Sequence, residues 1–343
     1  MSGSLVDESL RLDDAKLPDY LRRLGLLAQG EVARVEPAGD GNINWVRRVR
    51  AGRAGDRSFV VKQARSHLER FPEYQAPTER ILCEARYFET ARPFDRDAVC
   101  PAVLGFDADA RVLVLEDLGD APRLDAVLAG GGDARGVAQR LARFLGAVHA
   151  ATANDASLTG RFENEAMRRL HGDHIFELPF QPNEFPLPAA VRARAETIWA
   201  DGRLAGVARD AYARYLTPRG ALVHGDVQAG NVLVAARGAV LLDAEIAHVG
   251  DAAFDLGSLF AHLWLPATAR GVASEADAAI HGAWRAYASA ATDADADLHQ
   301  RAMTYAAIEM LRRTLGTARV AAVAEPAASL RVVDFASTLL GLS

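Results

Sequence analysis

At 343 residues, half of them hydrophobic, the chain is long enough for one large or two medium domains with their own cores. A formal net charge of −6 without any run of Lys and Arg argues against a nucleic-acid or anionic-membrane partner. No apolar stretch approaches the roughly 18 residues that cross a bilayer. Cys83 and Cys100 form neither a disulfide scaffold nor a zinc pattern, and the first residues lack a leader's basic-then-apolar order, so the reducing cytoplasm is the expected location.

The first third reads as strand-rich. Residues 31–37, 45–50 and 58–63 alternate as strands with turns between them, and the turn over 51–56 holds two glycines. Pro77-Thr78 opens a helix through about Thr90, with Ile81, Ala85 and Phe88 on one face. Strands follow near 102–106 and 111–116, and beyond Gly119 the pattern turns helical: 122–129, 134–152, 162–172, 188–215, 252–265, 274–289, 298–317 and 325–341. Short strands interrupt it near 220–223, 232–235 and 239–242, and Thr292–Asp297 (TDADAD) reads as an acidic loop. The expected class is therefore α+β: a small antiparallel-sheet lobe over 1–118 and a larger, mainly helical lobe over 119–343, a two-lobed protein-kinase-like arrangement.

The segment LVHGDVQAGNVLV, residues 222–234, followed by VLLDAE, residues 240–245, carries the strongest chemical signal. A strand delivers a loop holding Asp226, Asn231 comes five residues later, and Asp243 ends a second strand 17 residues beyond Asp226. Phosphoryl transfer needs these types: a carboxylate to accept or orient the attacking hydroxyl, and an amide oxygen with a second carboxylate to hold Mg²⁺ on the phosphates. A hairpin joining 232–235 to 239–242 would bring Asn231 and Asp243 to one end. The tripeptide His171-Gly172-Asp173 repeats HGD, but Leu178 stands where an amide would be needed, so it reads as a helix end and turn.

Upstream, Gly39, Asp40, Gly41, Asn42, Ile43 and Asn44 join two strands, and glycines there let backbone N–H groups approach phosphates. Only Lys16 and Lys62 are lysines, every other basic residue being Arg. A lysine kept inside a strand of so Arg-rich a chain points to a place where a compact ammonium, and not a guanidinium fork, is needed. Glu84 on the following helix could pair with Lys62 and fix it over the phosphates. No GxxxxGK[ST] occurs, which excludes a P-loop enzyme.

Taken with GDxxxDLG at 250–257, these motifs resemble the aminoglycoside phosphotransferase and choline kinase superfamily, and within it most of all the 5-methylthioribose kinases. The matching pieces are GDGNINWV at 39–46, VVKQA at 60–64, LEDL at 115–118, DAE at 243–245, FDLGSLFAHLWL at 254–265 and MLRRTLGTARV at 310–320. The resemblance implies Asp226 as catalytic base and substrate ligand. It implies Asn42 or Asn44, Lys62 and the segment Glu116, Asp117, Leu118 as ATP contacts, Asp243 and Glu245 at the Mg²⁺–phosphate end, and Arg312 and Arg313 on the acceptor side. It further implies a homodimer. Asp255 would brace the backbone of the loop that begins at His224, and would also suit a helix N-cap. Two departures stand out: Ala244 replaces the proline usual in DPE, and the chain is shorter between Trp264 and Met303, a region that shapes the acceptor pocket.

Arg312 and Arg313 would point about 100° apart on a helix, so at most one would face the pocket squarely. Eleven residues separate Asp243 from Asp255, too few for the segment with which a protein kinase docks a polypeptide. A nucleotide-binding scaffold without turnover would show loss of Asp226, Asn231 or Asp243, and all three are present. The expected acceptor is a small hydroxyl compound. A paired arginine suits 5-methylthioribose or a related 5-substituted pentose better than a polycation, with an aminoglycoside, another antibiotic or an amino alcohol as the alternative.

Overall fold

The structure, a computed structural model, describes residues 11–39, 44–52, 55, 57–67, 75–291 and 293–341. The chain forms two compact units, one made of Met1–Thr90 with Cys100–Asp120 and the other of Ala91–Val99 with Ala121–Ser343.

The first unit is built on a five-stranded antiparallel sheet in the order β1-β2-β3-β5-β4, from β1 (Ala33–Pro37), β2 (Trp45–Ala51), β3 (Arg57–Gln63), β4 (Val103–Asp107) and β5 (Val112–Glu116). Alternation along the strands sends Val49, Phe59, Val61, Val112 and Val114 to one face, where they pack with Leu17, Tyr20 and Leu21 of a short helix α1 (Leu17–Arg23). That helix was not expected. Pro18 sits in its first turn with Asp19, and Arg22 and Arg23 close its last, each placed to suit the helix dipole. The same alternation turns Lys62, next to Val61, toward the opposite face and α2 (Arg80–Ala91).

The second unit holds α3 (Leu124–Ala129), α4 (Arg135–Thr152), α5 (Ala156–Arg161), α6 (Glu165–Gly172), α7 (Ala189–Trp199), α8 (Gly202–Leu216), α9 (Ala253–Arg270), α10 (Asp277–Ala290), α11 (Ala296–Leu315) and α12 (Pro326–Leu339). The single helix expected over 188–215 is two, because Asp201 caps a new start by accepting the backbone N–H of Arg203. The helix expected to stop at 265 runs through Pro266 to Arg270 and ends at left-handed Gly271.

Helix α4 packs on α10, and α9 on α11. Gly257 allows the second contact: a Cβ there would lie 2.4 Å from the Tyr305 Cβ. Strands β7 (Val232–Ala235) and β8 (Gly238–Leu241) form the expected hairpin. Strand β6 (Ala221–Val223) pairs with β9 (His248–Gly250), a three-residue strand too short to be read from sequence. Among the described residues no helix is long and apolar enough to cross a membrane.

Candidate active site

In the first unit, Lys62 is buried and its Nζ lies 2.9 and 2.8 Å from the two carboxylate oxygens of Glu84, which is fully buried. The pair is the one the sequence suggested. Gly39 has φ +65°, the left-handed region where a side chain is strained. Asp40, Gly41 and Asn42 lie outside the described residues. Asn44 is buried and its Oδ1 accepts a 2.8 Å bond from Arg80, so that oxygen serves the interior of the unit. Glu116 closes β5 with its Oε1 on the Ala102 N–H at 2.7 Å. Asp117 accepts from the Gly119 N–H and pairs with Arg48 at 2.9 Å, which also holds Asp120. With the Glu116 and Asp117 side chains so engaged, the backbone of Glu116, Asp117 and half-buried Leu118 is what this segment can offer a ligand.

In the second unit, β6 ends at Val223 and the chain turns through His224, Gly225 and Asp226. Asp255, fully buried near the start of α9, organises the turn: Oδ2 accepts the His224 N–H at 2.7 Å and Oδ1 the Gly225 N–H at 2.9 Å. His149 adds a 3.2 Å contact to Oδ2. The backbone N–H of Asp226 reaches His224 Nδ1 at 3.3 Å. Gly225 has φ +83°, and a Cβ there would lie 2.5 Å from the Ile246 carbonyl, so glycine is required. Burial works to raise the pKa of Asp255, but the hydrogen bonds and charge of His149 and the backbone N–H bonds outweigh it and hold the carboxyl below its ordinary value.

Asp226 then projects into a polar cluster. Its Oδ2 accepts two amide N–H bonds, from Asn231 Nδ2 at 2.7 Å and Gln228 Nε2 at 2.8 Å. Burial pushes its pKa up, while Arg313, Arg312 and Gln228 pull it down, and the net direction is upward. At the base of the hairpin, the Leu242 N–H donates to the Asn231 carbonyl at 2.8 Å, which places Asn231 and Asp243 at one end as expected. Asp243 adopts φ +64°, an uncommon conformation for a residue with a side chain and one that clusters at functional sites. A carboxylate oxygen of Asp243 and one of Glu245 lie within 4.8 Å of each other. The Asn231 Nδ2 is committed to Asp226, so its amide oxygen is the atom left to offer a cation. These all-oxygen donors suit a hard cation such as Mg²⁺.

Both arginines of α11 are buried, and both turn onto one residue that the sequence did not single out. Arg312 Nη1 contacts the two oxygens of Glu309 at 3.0 and 3.1 Å, and Arg313 Nε contacts its Oε1 at 2.6 Å. The 100° divergence on the helix is overcome because each guanidinium folds back one turn, three or four residues, to the same carboxylate. Arg313 Nη2 continues to Gln228 Oε1 at 2.7 Å, while Arg312 Nε is buried with no hydrogen-bond partner among the described residues. Burial works to raise Glu309, but Arg312 and Arg313 hold its pKa well below the usual carboxylate range.

His171, read above as part of a helix end and turn, is the next-to-last residue of α6, but no turn follows: the chain runs on as a π-helical segment over Asp173–Glu177, and His171 Nε2 stands 3.9 Å from Asp226 Oδ1. Burial, reinforced by Arg312, pushes its pKa well below the ordinary value and keeps it neutral. Gln228 and Glu309 escaped the sequence reading, and His171 was set aside in it, because the signal that joins them to Asp226 is proximity in space. Cavities of about 480 and 580 Å³ also lie in this unit; His149 lines the first, and neither is lined by Asp226, Asn231, Asp243 or Glu245.

Residues 34–293 match the APH phosphotransferase enzyme family. The chain belongs to that family. It is a phosphotransferase that acts on a hydroxyl group. Among curated phosphotransferases, it is 27% identical over 331 residues to a methylthioribose kinase from Geobacillus kaustophilus, covering 87% of this chain and 83% of the relative. It is 26% identical over 337 residues to a methylthioribose kinase from Exiguobacterium sibiricum, covering 88% and 84%. In fold it is similar to a choline kinase from Cryptosporidium parvum, with a TM-score of 0.55 at 12% identity over 96% of this chain and 95% of that one. That likeness gives this phosphotransferase the kinase-like fold its element order suggested.

Proposed function

We propose that this phosphotransferase transfers the γ-phosphate of ATP, with Mg²⁺, to a hydroxyl of a small sugar-like acceptor, 5-methylthioribose or a related 5-substituted pentose. The observation that carries the chemistry is Asp226, a carboxylate in a buried cluster with one oxygen saturated by two amides and the other left to meet a hydroxyl. Two relatives named methylthioribose kinase, each covered over more than four fifths of its length, support the acceptor class.

In this reading, Lys62, held by Glu84, orients the phosphates, and the backbone of Glu116, Asp117 and Leu118 with the glycine turn at Gly39 meets the nucleotide. Asn231, Asp243 and Glu245 hold the cation. Mg²⁺-bound ATP supplies the transferable phosphoryl group and neutralises charge on it. Asp226 takes the acceptor's hydroxyl proton as that oxygen bonds to the γ-phosphorus and the bond to the leaving β-phosphate oxygen breaks. Arg312 and Arg313 stand on the acceptor side, where a guanidinium would meet acceptor oxygens or the developing phosphate charge.

ADP release with ATP and Mg²⁺ against 5-methylthioribose, ribose, 5-deoxyribose, choline, homoserine and kanamycin tests the assignment. A kcat/KM on 5-methylthioribose above about 10⁴ M⁻¹s⁻¹ is expected. Efficient turnover of kanamycin or choline in its place would overturn the acceptor. For the base, Asp226→Ala should cut kcat by roughly 10²–10⁴-fold with ATP binding little changed. Near-normal turnover in that variant would remove Asp226 from the role.

A further inference from the structure

We propose that Gln228 is a positioning residue that, anchored through Arg313 to Glu309, fixes the Asp226 carboxylate so that Oδ1 alone receives the acceptor hydroxyl. The inference rests on Asp226 being the base and concerns how that base is aimed. A carboxylate has two equivalent oxygens and can turn about its last bond, so an enzyme that needs one oxygen at the hydroxyl must immobilise the other. Here Oδ2 takes two short N–H bonds, from Asn231 and from Gln228, while Oδ1 has His171 Nε2 at 3.9 Å, beyond hydrogen-bond reach.

The amide of Gln228 could face Asp226 either way round, and its oxygen end would repel the carboxylate. Arg313 decides the matter. A guanidinium has no acceptor, so the 2.7 Å contact with Arg313 Nη2 must engage the Gln228 oxygen. That forces the NH₂ end toward Asp226 Oδ2. Arg313 is fixed in turn by its 2.6 Å bond to Glu309, whose carboxylate also holds Arg312 and lies 3.4 Å from His262. The order Glu309, Arg313, Gln228, Asp226 is thus a directional chain in which each donor and acceptor role follows from the one before. Its far end sits on α11 and its near end on the loop after β6. The side chain of Gln228 joins a rigid helix to the reacting group.

The decisive variant is Gln228→Glu. It keeps, and by charge strengthens, the contact to Arg313, yet it presents a carboxylate oxygen where Asp226 Oδ2 needs a donor. A residue that merely bridges helix and loop would tolerate this change. A positioning residue would not: kcat on the acceptor turned over best in the panel should fall by about 100-fold or more, with the KM values for ATP and acceptor within about 3-fold. Gln228→Met, which removes donor and acceptor at similar length, should lower kcat by about 10-fold or more and melt within a few degrees of the parent. It keeps the test decisive if Gln228→Glu fails to fold. A kcat within about 3-fold of the parent in folded Gln228→Glu or Gln228→Met would overturn the proposal. Asp226→Ala, measured alongside, separates the two layers. If it is inactive while the Gln228 variants are normal, only the positioning role falls; if it remains active, the base assignment itself falls.

Discussion

Replacing Asp255 by alanine should uncouple the stability of the second unit from the loop that carries Asp226. The carboxylate is fully buried and accepts the backbone N–H groups of His224 at 2.7 Å and Gly225 at 2.9 Å, as well as the contact from His149. In Asp255→Ala, both N–H groups lose their acceptor in a place water does not reach. Each such stranded group costs about 1–3 kcal/mol, so the pair should cost roughly 4 kcal/mol. For a unit of this size that is a fall in melting temperature of about 10 °C. Asp255→Asn keeps one acceptor oxygen but turns an NH₂ toward one of the two donors, and should lose about half as much.

Urea unfolding followed by far-UV circular dichroism reads the loss, and ADP release reads the consequence for the loop. The carboxyl's pKa is lowered in the folded state, so its contribution is complete above the unfolded value near pH 4 and declines as pH falls from there toward the folded value. The alanine variant should therefore also lose part of the parent's acid limb. A cost under about 1 kcal/mol in Asp255→Ala, with turnover unchanged, would refute the brace.

Lys62→Met should cost the first unit about 3–5 kcal/mol, because Glu84 stays buried without its ammonium; the double variant Lys62→Met, Glu84→Gln should recover much of this in urea unfolding, and no recovery would mean the loss comes from packing alone. Arg312→Ala should raise the acceptor KM about 10-fold while sparing the KM for ATP, since the guanidinium stands on the acceptor side in our reading; an unchanged acceptor KM would leave it a purely structural partner of Glu309. His248 is buried and its pKa is lowered to about 4, mainly by desolvation with Arg168 adding. The unfolded chain then binds a proton that the folded one refuses between pH 6.5 and 4, so stability is full above about pH 6.5 and falls by roughly 3 kcal/mol across that window. His248→Phe should flatten the measured stability–pH slope there by about one proton, and an unchanged slope would show that another group carries it.

How much of this was legible in the sequence depends on the range of the interaction. Asp226, Asn231 and Asp243 could be placed because a strand, a five-residue loop and a hairpin fix their spacing locally. Lys62 and Glu84 could be paired because a strand and the helix after it leave few alternatives. The split of 188–215 at Asp201 was readable in principle, since an Asp before a helical run is a cap signal, but the apolar periodicity on either side masked it.

By itself, the sequence determined most of the element types, the α+β class and the ordered set of residues proposed here for phosphoryl transfer, since local propensity, periodicity and short-range spacing need no knowledge of distant neighbours. Only the tertiary structure decided that Arg312 and Arg313 converge on Glu309, that Gln228 aims Asp226, and that His171 stands beside it. Those contacts join α6, α11 and the loop after β6, segments between about 50 and 140 residues apart in sequence. Their geometry is set by how α11 packs on α9 and by the burial that makes each charge seek its partner, which no local pattern encodes.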